Sequence, residues 1–394
     1  GACCIQHAPR LFELTSNQNA TIRFHTLLLI ETLKRQGLLN PMEMVPHLFA
    51  LQGDLKQPRI RALALKLLVD EGGARPSMIR QLLAEGIKQS YNYQRKVYPD
   101  VDHVTALVEN QNDKVQIDCI FGQIYKDSIR NSRTHSIRVI RSLLMLFSPS
   151  ETKMTKHTKS VVERIPMLSF ASEVIAYLPY NHLGDVLFII HHISGIITLD
   201  GHEVMTKLLT FLSPHGLSSD EKNENDECKL ERAAQIEIPS KMKGLGVLRK
   251  KAFDVSAFAN LCGEASVLLL LLRLSNFLRE AYSGVTTTRL LEYLPGEKER
   301  VADRGVTRVS NIEPFNSYIP HETHVRGKVG RSATTSVLDN SIRQYAEFRR
   351  LMRENDEKMS IHSGDDISSH AVDVSSQQLG NKRKRSQCDS GSDD

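Results

Sequence analysis

The sequence predicts an all-α fold built from stacked helical repeats, and three observations lead to that prediction. Leu and Ile dominate the apolar residues, whereas aromatic residues make up only 6% of the 394-residue chain and Trp is absent. This composition favours stacked helices over β-sandwiches, in which aromatic and β-branched residues are enriched. Several segments carry apolar residues at helical spacing. An Ile-Arg dipeptide also recurs along the chain.

The recurring dipeptide indicates the kind of repeat. It opens an apolar helical segment at Ile22, Ile60 and Ile137, so the copies are 38 and 77 residues apart. Repeats of the HEAT and armadillo type have periods of roughly 40 residues, and the missing copy falls near Val97, where no Ile-Arg occurs. Each unit is too thin to bury its own apolar face, so stacked neighbours supply the core. We therefore predict a HEAT-type solenoid with the three isoleucines at equivalent buried positions.

The individual helices follow from local signals. Pro41 and Pro58 suit the first turn of two successive helices, and Gly72-Gly73 is expected to end the second of them. A further helix is predicted from Val115 to Arg130, with an apolar stripe. That stripe consists of Ile117, Ile120, Phe121 and Ile124. The other predicted helices cover 137–147, 160–178, 185–199 and 255–281.

Changes in composition divide the chain into six parts. The stretch Asp220–Glu227 is acidic and has no apolar period, which is typical of disorder. The segment before the last helix is richer in Gly, Pro and Thr, and the chain after Lys358 turns to Ser, Asp and Gln. The predicted parts are a HEAT-repeat array (1–217), a disordered acidic insertion (218–251), a long buried helix closing the array (252–282), an irregular segment (283–335), a C-terminal helix (336–358) and a disordered tail (359–394).

Charge, cysteines and hydropathy narrow the class of protein. A net charge of +5 permits an anionic partner without demanding one. The six cysteines form no CxxC pairs and no disulfide framework, which favours a reducing compartment. The most apolar run, Ser266–Leu272, is far shorter than the roughly 20 residues that span a bilayer, so we expect a soluble protein with no membrane partner. Because the chain begins with Gly1 inside a helical pattern, we expect a fragment from the C-terminal part of a longer protein.

The sequence contains no catalytic motif. Gly327–Arg331 lacks the spacing and the Lys-Ser ending of a phosphate-binding loop, and neither G-x-S-x-G nor H-E-x-x-H occurs. His191 and His192 are adjacent on a predicted helix and point about 100° apart, so they suit one packed and one surface histidine better than a metal site. Cys262 lies in an apolar helical context and is expected to be a small residue of the core. We predict a protein that is not an enzyme and that has no cofactor and no catalytic or metal-binding residues.

Basic residues concentrate between Lys126 and Arg164. The window holds nine Lys or Arg against three acidic residues. The candidate contacts for DNA or for a protein partner, called here the basic ridge, are Lys126, Arg130, Arg133, Arg138 and Arg141. At 100° per residue, Lys126, Arg130 and Arg133 project on the face opposite the apolar stripe of the helix predicted to begin at Val115. Such a ridge could bind phosphate groups, or it could be an ordinary solvated helix face. The arginines of the repeated dipeptide, which are Arg23, Arg61 and Arg138, are better suited to bracing neighbouring repeats.

A second basic run lies near the C-terminus. Lys382, Arg383, Lys384 and Arg385 follow one another inside the predicted disordered tail. Exposed runs of this kind are read as nuclear-localisation or nucleic-acid patches. Ser390 and Ser392 are followed by acidic residues and would suit an acid-directed kinase. We expect a nuclear protein.

Seven short motifs identify a protein family through their order and spacing along the chain. They are Thr32–Leu38, Asn40-Pro41, Val45–Leu51, Gly86–Tyr91, Pro179-Tyr180, Leu187–Ile193 and Phe258–Asn260. Together they resemble the C-terminal region of the cohesin-loading subunit, the Nipped-B-like family of sister-chromatid-cohesion proteins. The resemblance covers about residues 1–282, with a weaker match at 342–352. The acidic insertion and the segment 284–335 match no motif of the family.

The resemblance implies a fold and a function. It implies a hook-shaped HEAT-repeat protein that binds the cohesin complex through its SMC ATPase heads, its hinge and its kleisin subunit, and that contacts double-stranded DNA. Such a protein stimulates ATP hydrolysis by cohesin, promotes cohesin loading and loop extrusion on chromatin, and has no chemistry of its own. A small partner subunit of the loader binds the N-terminal part of the family, which this sequence lacks.

Two other classes remain open at this point. A generic HEAT scaffold, such as a nuclear-transport receptor or a phosphatase scaffold, predicts the same solenoid without a dependence on DNA. An enzyme within the irregular segment 284–335 is the third class, although that segment offers no pairing of a nucleophile with a base.

Overall fold

The computed structural model describes residues 2–101, 104–109, 117–148, 161–212, 255–294, 304–309, 312–319 and 340–357. The predicted acidic insertion, the predicted tail with its basic run, and Lys153, Lys156 and Lys159 lie outside the described residues. The chain divides into two units, Gly1–Arg349 and Arg350–Asp394. Of the second unit, residues 350–357 are described, and they are helical.

The described part of the chain is dominated by helices, as predicted. They are α1 (Ala2–Leu14), α2 (Ala20–Arg35), α3 (Pro41–Leu51), α4 (Pro58–Ala74), α5 (Pro76–Val97), α6 (Gly122–Ser128), α7 (Arg133–Leu144), α8 (Val161–Tyr177), α9 (Leu183–Ile196), α10 (His202–Leu212), α11 (Val255–Ala281), α12 (Thr287–Glu292) and α13 (340–357). A 3₁₀ turn, Met145–Phe147, follows α7, and a π-helical turn, Ile197–Gly201, joins α9 to α10.

Helices pack mainly on near neighbours in the sequence. Helix α3 packs on α4 and α5, α4 on α6, α5 on α7, α7 on α9, and α8 and α10 on α11. Contacts between successive units are the mark of a repeat array, in which each unit supplies the core of the next. The prediction of an all-α helical-repeat solenoid of the HEAT type is confirmed.

A capping residue fixes the start of α3, and a glycine allows α4 to pack closely on α6. Asn40 accepts a hydrogen bond from Met42 N at 3.1 Å, ahead of Pro41 in the first turn of α3. The predicted end of α4 at Gly72-Gly73 is wrong, because the helix continues to Ala74. A Cβ at Gly72 would lie 2.2 Å from Ser128 Oγ, so this glycine allows α4 and α6 to approach closely.

The predicted helix from Val115 to Arg130 is wrong. Residues Ile117–Cys119 form strand β2, which pairs antiparallel with strand β1, Leu107–Glu109. A helix begins only at Gly122. Long-range contacts override the helical apolar pattern here, because Glu173 on α8 accepts a hydrogen bond from Ala106 N at 2.8 Å and fixes the start of β1.

The Ile-Arg dipeptides are not structurally equivalent, which corrects the predicted repeat register. Ile60 is buried, Ile137 is half-buried and Ile22 is 39% exposed. The arginines follow a different order, since Arg23 is 1% exposed, Arg61 is half-buried and Arg138 is exposed. The dipeptide is therefore rotated about the helix axis from one helix to the next, and its regular spacing does not mark one buried position.

The buried Arg23 braces three helices. Its guanidinium contacts Asp54 Oδ2 at 2.9–3.0 Å and donates to the carbonyls of Asn17 and Gln18 at 2.9 Å. Asp54 is also fully buried and accepts hydrogen bonds from the hydroxyls of Tyr93, at 2.8 Å, and Tyr98. This network ties α2 to the turn after α3 and to the end of α5, as expected of a bracing arginine.

Two helical segments, Leu183–Phe211 and Ala257–Ala281, are long and apolar enough to cross a membrane. The most apolar part of each is mostly buried within the structure, 56% in the first segment and 67% in the second. The contacts of α9 and α11 with other helices account for this apolar character.

Candidate functional site

Helix α7 carries the exposed part of the predicted basic ridge. Its inner face buries Ser136, Val139, Ile140, Leu143 and Leu144, the last four of which are apolar. Its outer face exposes Thr134, Arg138, Arg141 and, just after the helix, Met145. These four positions follow an i, i+4, i+7, i+11 spacing and therefore form one stripe. We call this stripe the α7 outer face.

An aromatic side chain holds one arginine of this face in place. The Arg141 guanidinium lies 5.5 Å from the ring centroid of Phe188 on α9. His192 stacks on the same Phe188 ring at 5.9 Å. Burial lowers the pKa of His192, and the charges of Arg141 and His191 lower it further. His192 is therefore neutral at pH 7, and Arg141 is the cation of this group.

The adjacent histidines match their predicted roles. His191 is exposed and meets the Tyr293 ring edge-on at 5.7 Å, whereas His192 is half-buried against Phe188. Cys262 is fully buried in α11, as predicted for a core residue. Among the described residues, no group of three or more His, Cys, Asp or Glu side chains could hold a metal ion.

The other three ridge residues do not lie on this face. Lys126 lies near the end of α6, Arg130 in the turn that follows, and Arg133 at the first position of α7. All three are half-buried. The Nε of Arg130 is buried without a hydrogen-bond partner among the described residues. The expectation that Arg130 and Arg133 project freely opposite one apolar stripe is wrong, because the helix that would align them does not exist.

A buried polar cluster lies beneath the start of α7. Ser136 Oγ is 2.5 Å from the hydroxyl of Tyr125 on α6, and both side chains are buried. Asp185, in the first turn of α9, is 0% exposed. Burial raises the pKa of Asp185 to about 6, while the Ser136 hydroxyl and the charges of His182 and Arg133 oppose that rise. Arg133 therefore serves partly as a counter-charge to a buried carboxyl.

Arg164, the last basic residue of the window, has a structural contact. Its Nη2 donates to the carbonyl of Leu146 at 2.9 Å and ties α8 to the 3₁₀ turn after α7. The described basic window therefore separates into an exposed pair, Arg138 and Arg141, and four half-buried cations, of which Arg164 is hydrogen-bonded to the 3₁₀ turn.

Comparison with known proteins identifies the family of this chain. The family model described as "Sister chromatid cohesion C-terminus" matches residues 2–196, about half of the chain, including all of α1 to α9. The chain belongs to the Nipped-B family. The matched region contains both the bracing network around Arg23 and the α7 outer face.

Individual members of the Nipped-B family align over longer stretches. The chain is 24% identical over 377 residues to the mouse Nipped-B-like protein and likewise to the human one, which covers 88% of this chain and 12% of each relative. It is 22% identical over 311 residues to the Drosophila melanogaster Nipped-B protein, which covers 78% of this chain and 14% of the relative. The chain thus spans about an eighth of the length of these curated relatives.

Proposed function

We propose that this chain is a non-enzymatic part of a cohesin loader that binds double-stranded DNA and the cohesin complex. Its membership of a family described by sister chromatid cohesion supports the general role. The observation that carries the DNA contact is the α7 outer face. Arg138 and Arg141 are both exposed on this face, four and seven positions after Thr134. Two guanidinium groups one helical turn apart suit successive phosphates of a nucleic-acid backbone.

The remaining functions of the proposed loader follow from the family resemblance. The array would hold the SMC heads, the hinge and the kleisin of cohesin near DNA, stimulate ATP hydrolysis by cohesin, and so promote its loading on chromatin. The small partner subunit of the loader would bind elsewhere in the longer protein. The competing proposal, a generic HEAT scaffold, predicts that the α7 outer face has no role in DNA binding.

Reversal of charge at the α7 outer face tests the DNA contact. We expect Arg138→Glu with Arg141→Glu to weaken binding of a 30-base-pair duplex and to reduce the salt slope of log K by about two units, one per phosphate contact. Binding is measured by fluorescence anisotropy between 50 and 200 mM salt. The pair is preferable to Arg130 and Arg133, which are half-buried, and reversal of Arg133 would place negative charge near the buried Asp185.

A matched control separates local contact from a change of net charge. Arg10→Glu with Arg59→Glu changes the charge by the same amount at two exposed positions on α1 and α4. Thermal unfolding of both double variants is expected to match the wild type, since exposed substitutions usually change stability little. Equal salt slopes for the wild type and the Arg138/Arg141 variant would show that the α7 outer face is an ordinary solvated surface.

Nuclear localisation is proposed through the C-terminal basic run. Replacement of Lys382, Arg383, Lys384 and Arg385 by Ala is expected to move a tagged chain toward the cytoplasm, because an import receptor would lose its cationic contacts. Fluorescence microscopy of a fusion too large for passive entry measures the distribution, and the melting temperature is expected to stay the same. Full nuclear accumulation of the four-Ala variant would refute this role.

A further inference from the structure

The extended segment 312–319, called here the strap, lies along helices α8 and α11. It forms neither helix nor strand. Its alternate residues Phe315, Ser317 and Ile319 are buried, whereas Asn316 and Tyr318 between them are exposed. This alternation is the geometry of an extended chain that lays one face against a surface. The strap therefore occupies the array in the way that an extended peptide occupies a groove.

Two side chains of the groove bind the main chain of the strap. Tyr177 Oη on α8 accepts a hydrogen bond from Phe315 N at 3.0 Å. Arg273 Nη1 on α11 donates to the carbonyl of Tyr318 at 2.8 Å and to that of Asn316 at 3.4 Å. Because these contacts use main-chain atoms of the strap, another extended segment in the same register would make them equally well.

The buried side chains of the strap give the groove its selectivity. The ring of Phe315 lies 5.4 Å from that of Phe277 on α11, and Ser317 Oγ donates to the buried Glu173 carboxylate on α8 at 2.6 Å. An apolar side chain in place of Ser317 would remove a donor from a buried carboxylate, which is costly. With Ile319 as the third buried position, the groove selects an aromatic residue, a hydroxyl and an aliphatic residue at alternate positions.

Contacts outside the strap hold the binding groups of the groove in place. Arg273 forms a bidentate pair with Glu347 on α13, with Nε–Oε1 at 2.9 Å and Nη2–Oε2 at 2.7 Å. The Tyr177 ring lies 5.5 Å from the ring of Phe277. Glu173 accepts two hydrogen bonds from the residues that lead into β1. Exchange of the strap for another segment would preserve these contacts, and a groove ordered in advance favours binding.

We propose that the surface of α8 and α11 beneath the strap is a binding groove for an extended segment of a partner protein, and that the strap is its intrachain occupant. The partner segment carries an aromatic residue, Ser or Thr two positions later, and an aliphatic residue two positions after that. Because the strap is tethered, its effective concentration at the groove is on the order of millimolar, and the partner segment binds by displacing it. This inference is independent of the DNA contact at the α7 outer face.

Peptide binding to the full chain tests the groove. The probe is a fluorescein-labelled peptide with the sequence of residues 310–320, and fluorescence anisotropy measures its affinity. Phe315→Ala and Ser317→Ala in the chain weaken the strap. We expect each variant to bind the peptide at least about tenfold more tightly than the wild type, since the apparent affinity is proportional to the fraction of open grooves. Ser317→Ala keeps the test open if loss of the buried Phe315 ring prevents folding, which circular dichroism reports.

Three controls assign the binding to this groove. Glu313→Gln changes an exposed residue of the strap and is expected to leave the peptide affinity of the wild type unchanged. A peptide with Ala at the positions of Phe315 and Ser317 is expected not to bind. Tyr177→Phe, added to Phe315→Ala, keeps the ring and removes the acceptor for the peptide amide, so we expect several-fold weaker binding than in Phe315→Ala alone.

Displacement of the strap is measured in the wild type. Unlabelled peptide at millimolar concentration is expected to accelerate hydrogen exchange in 312–319 and to leave α8 protected. Absence of peptide binding by the folded variants, or equal affinity in the variants and the wild type, would overturn the inference. A wild-type dimer that Phe315→Ala converts to a monomer in light scattering would assign the groove to the strap of a second copy and would overturn the assignment to a partner.

Discussion

Replacement of Asp54 by Ala is expected to lower the free energy of unfolding by about 3–5 kcal/mol, because it leaves the buried Arg23 guanidinium without its counter-charge. Arg23 is 1% exposed and Asp54 is 0% exposed, with Arg23 Nη2 2.9 Å from Asp54 Oδ2. The substitution also removes the acceptor of the Tyr93 and Tyr98 hydroxyls. The midpoint of urea unfolding, followed by circular dichroism, measures the loss.

Two comparisons make that result specific to the network. Asp70→Ala removes a half-exposed carboxyl 3.7 Å from Lys34 and is expected to cost less than about 1 kcal/mol. Arg23→Leu combined with Asp54→Leu is expected to be less destabilised than Asp54→Ala, since no unpaired buried charge remains. A loss at Asp54→Ala no larger than that at Asp70→Ala would contradict the assignment of Arg23 as a brace.

The fold class could be predicted from the sequence because helical periodicity and helix-starting prolines are local signals. Pro41 and Pro58 stand at the first positions of α3 and α4, where the sequence placed them. The register of the repeats could not be predicted from the Ile-Arg dipeptide. In α2 the arginine is the buried member, because Asp54, 31 residues away, supplies its counter-charge, and no local pattern reveals such a pairing.

Only part of the candidate site could be predicted from the sequence, because local patterns do not show long-range contacts. Arg138 and Arg141 are exposed because both lie on the polar side of a regular helix, and the bracing role expected of Arg138 is therefore wrong. Arg130 and Arg133 were placed on the same surface by projecting a helix across Ile117–Cys119, which is a strand. Asp185 was missed altogether. A lone acidic residue in the apolar run Leu183–Ile193 is a usable signal, but it does not identify the cations that surround it.

The Glu173 carboxylate connects three segments that are far apart in the sequence. It is 3% exposed on α8 and accepts hydrogen bonds from Thr105 Oγ1 and Ala106 N, both at 2.8 Å, and from Ser317 Oγ at 2.6 Å. The last contact belongs to the extended strap 312–319, within the segment expected to be irregular. The strap buries alternate residues, and its Phe315 N donates to Tyr177 Oη at 3.0 Å.

Glu173→Ala is therefore expected to release both the β1–β2 strand pair, called here the hairpin, and the strap from α8. Three donors would lose their acceptor, of which Ala106 N and Ser317 Oγ are buried and Thr105 Oγ1 is half-buried, and we expect a loss of about 3 kcal/mol in the free energy of unfolding. Hydrogen exchange measured by mass spectrometry should accelerate in 104–109 and 312–319 before it does so in α8 itself. Glu163→Ala removes an exposed carboxyl from the same helix and serves as the control. Unchanged protection of the Ala106 amide in Glu173→Ala would show that the hairpin is held by its strand pairing, and that the buried carboxylate does not determine where the hairpin and the strap dock.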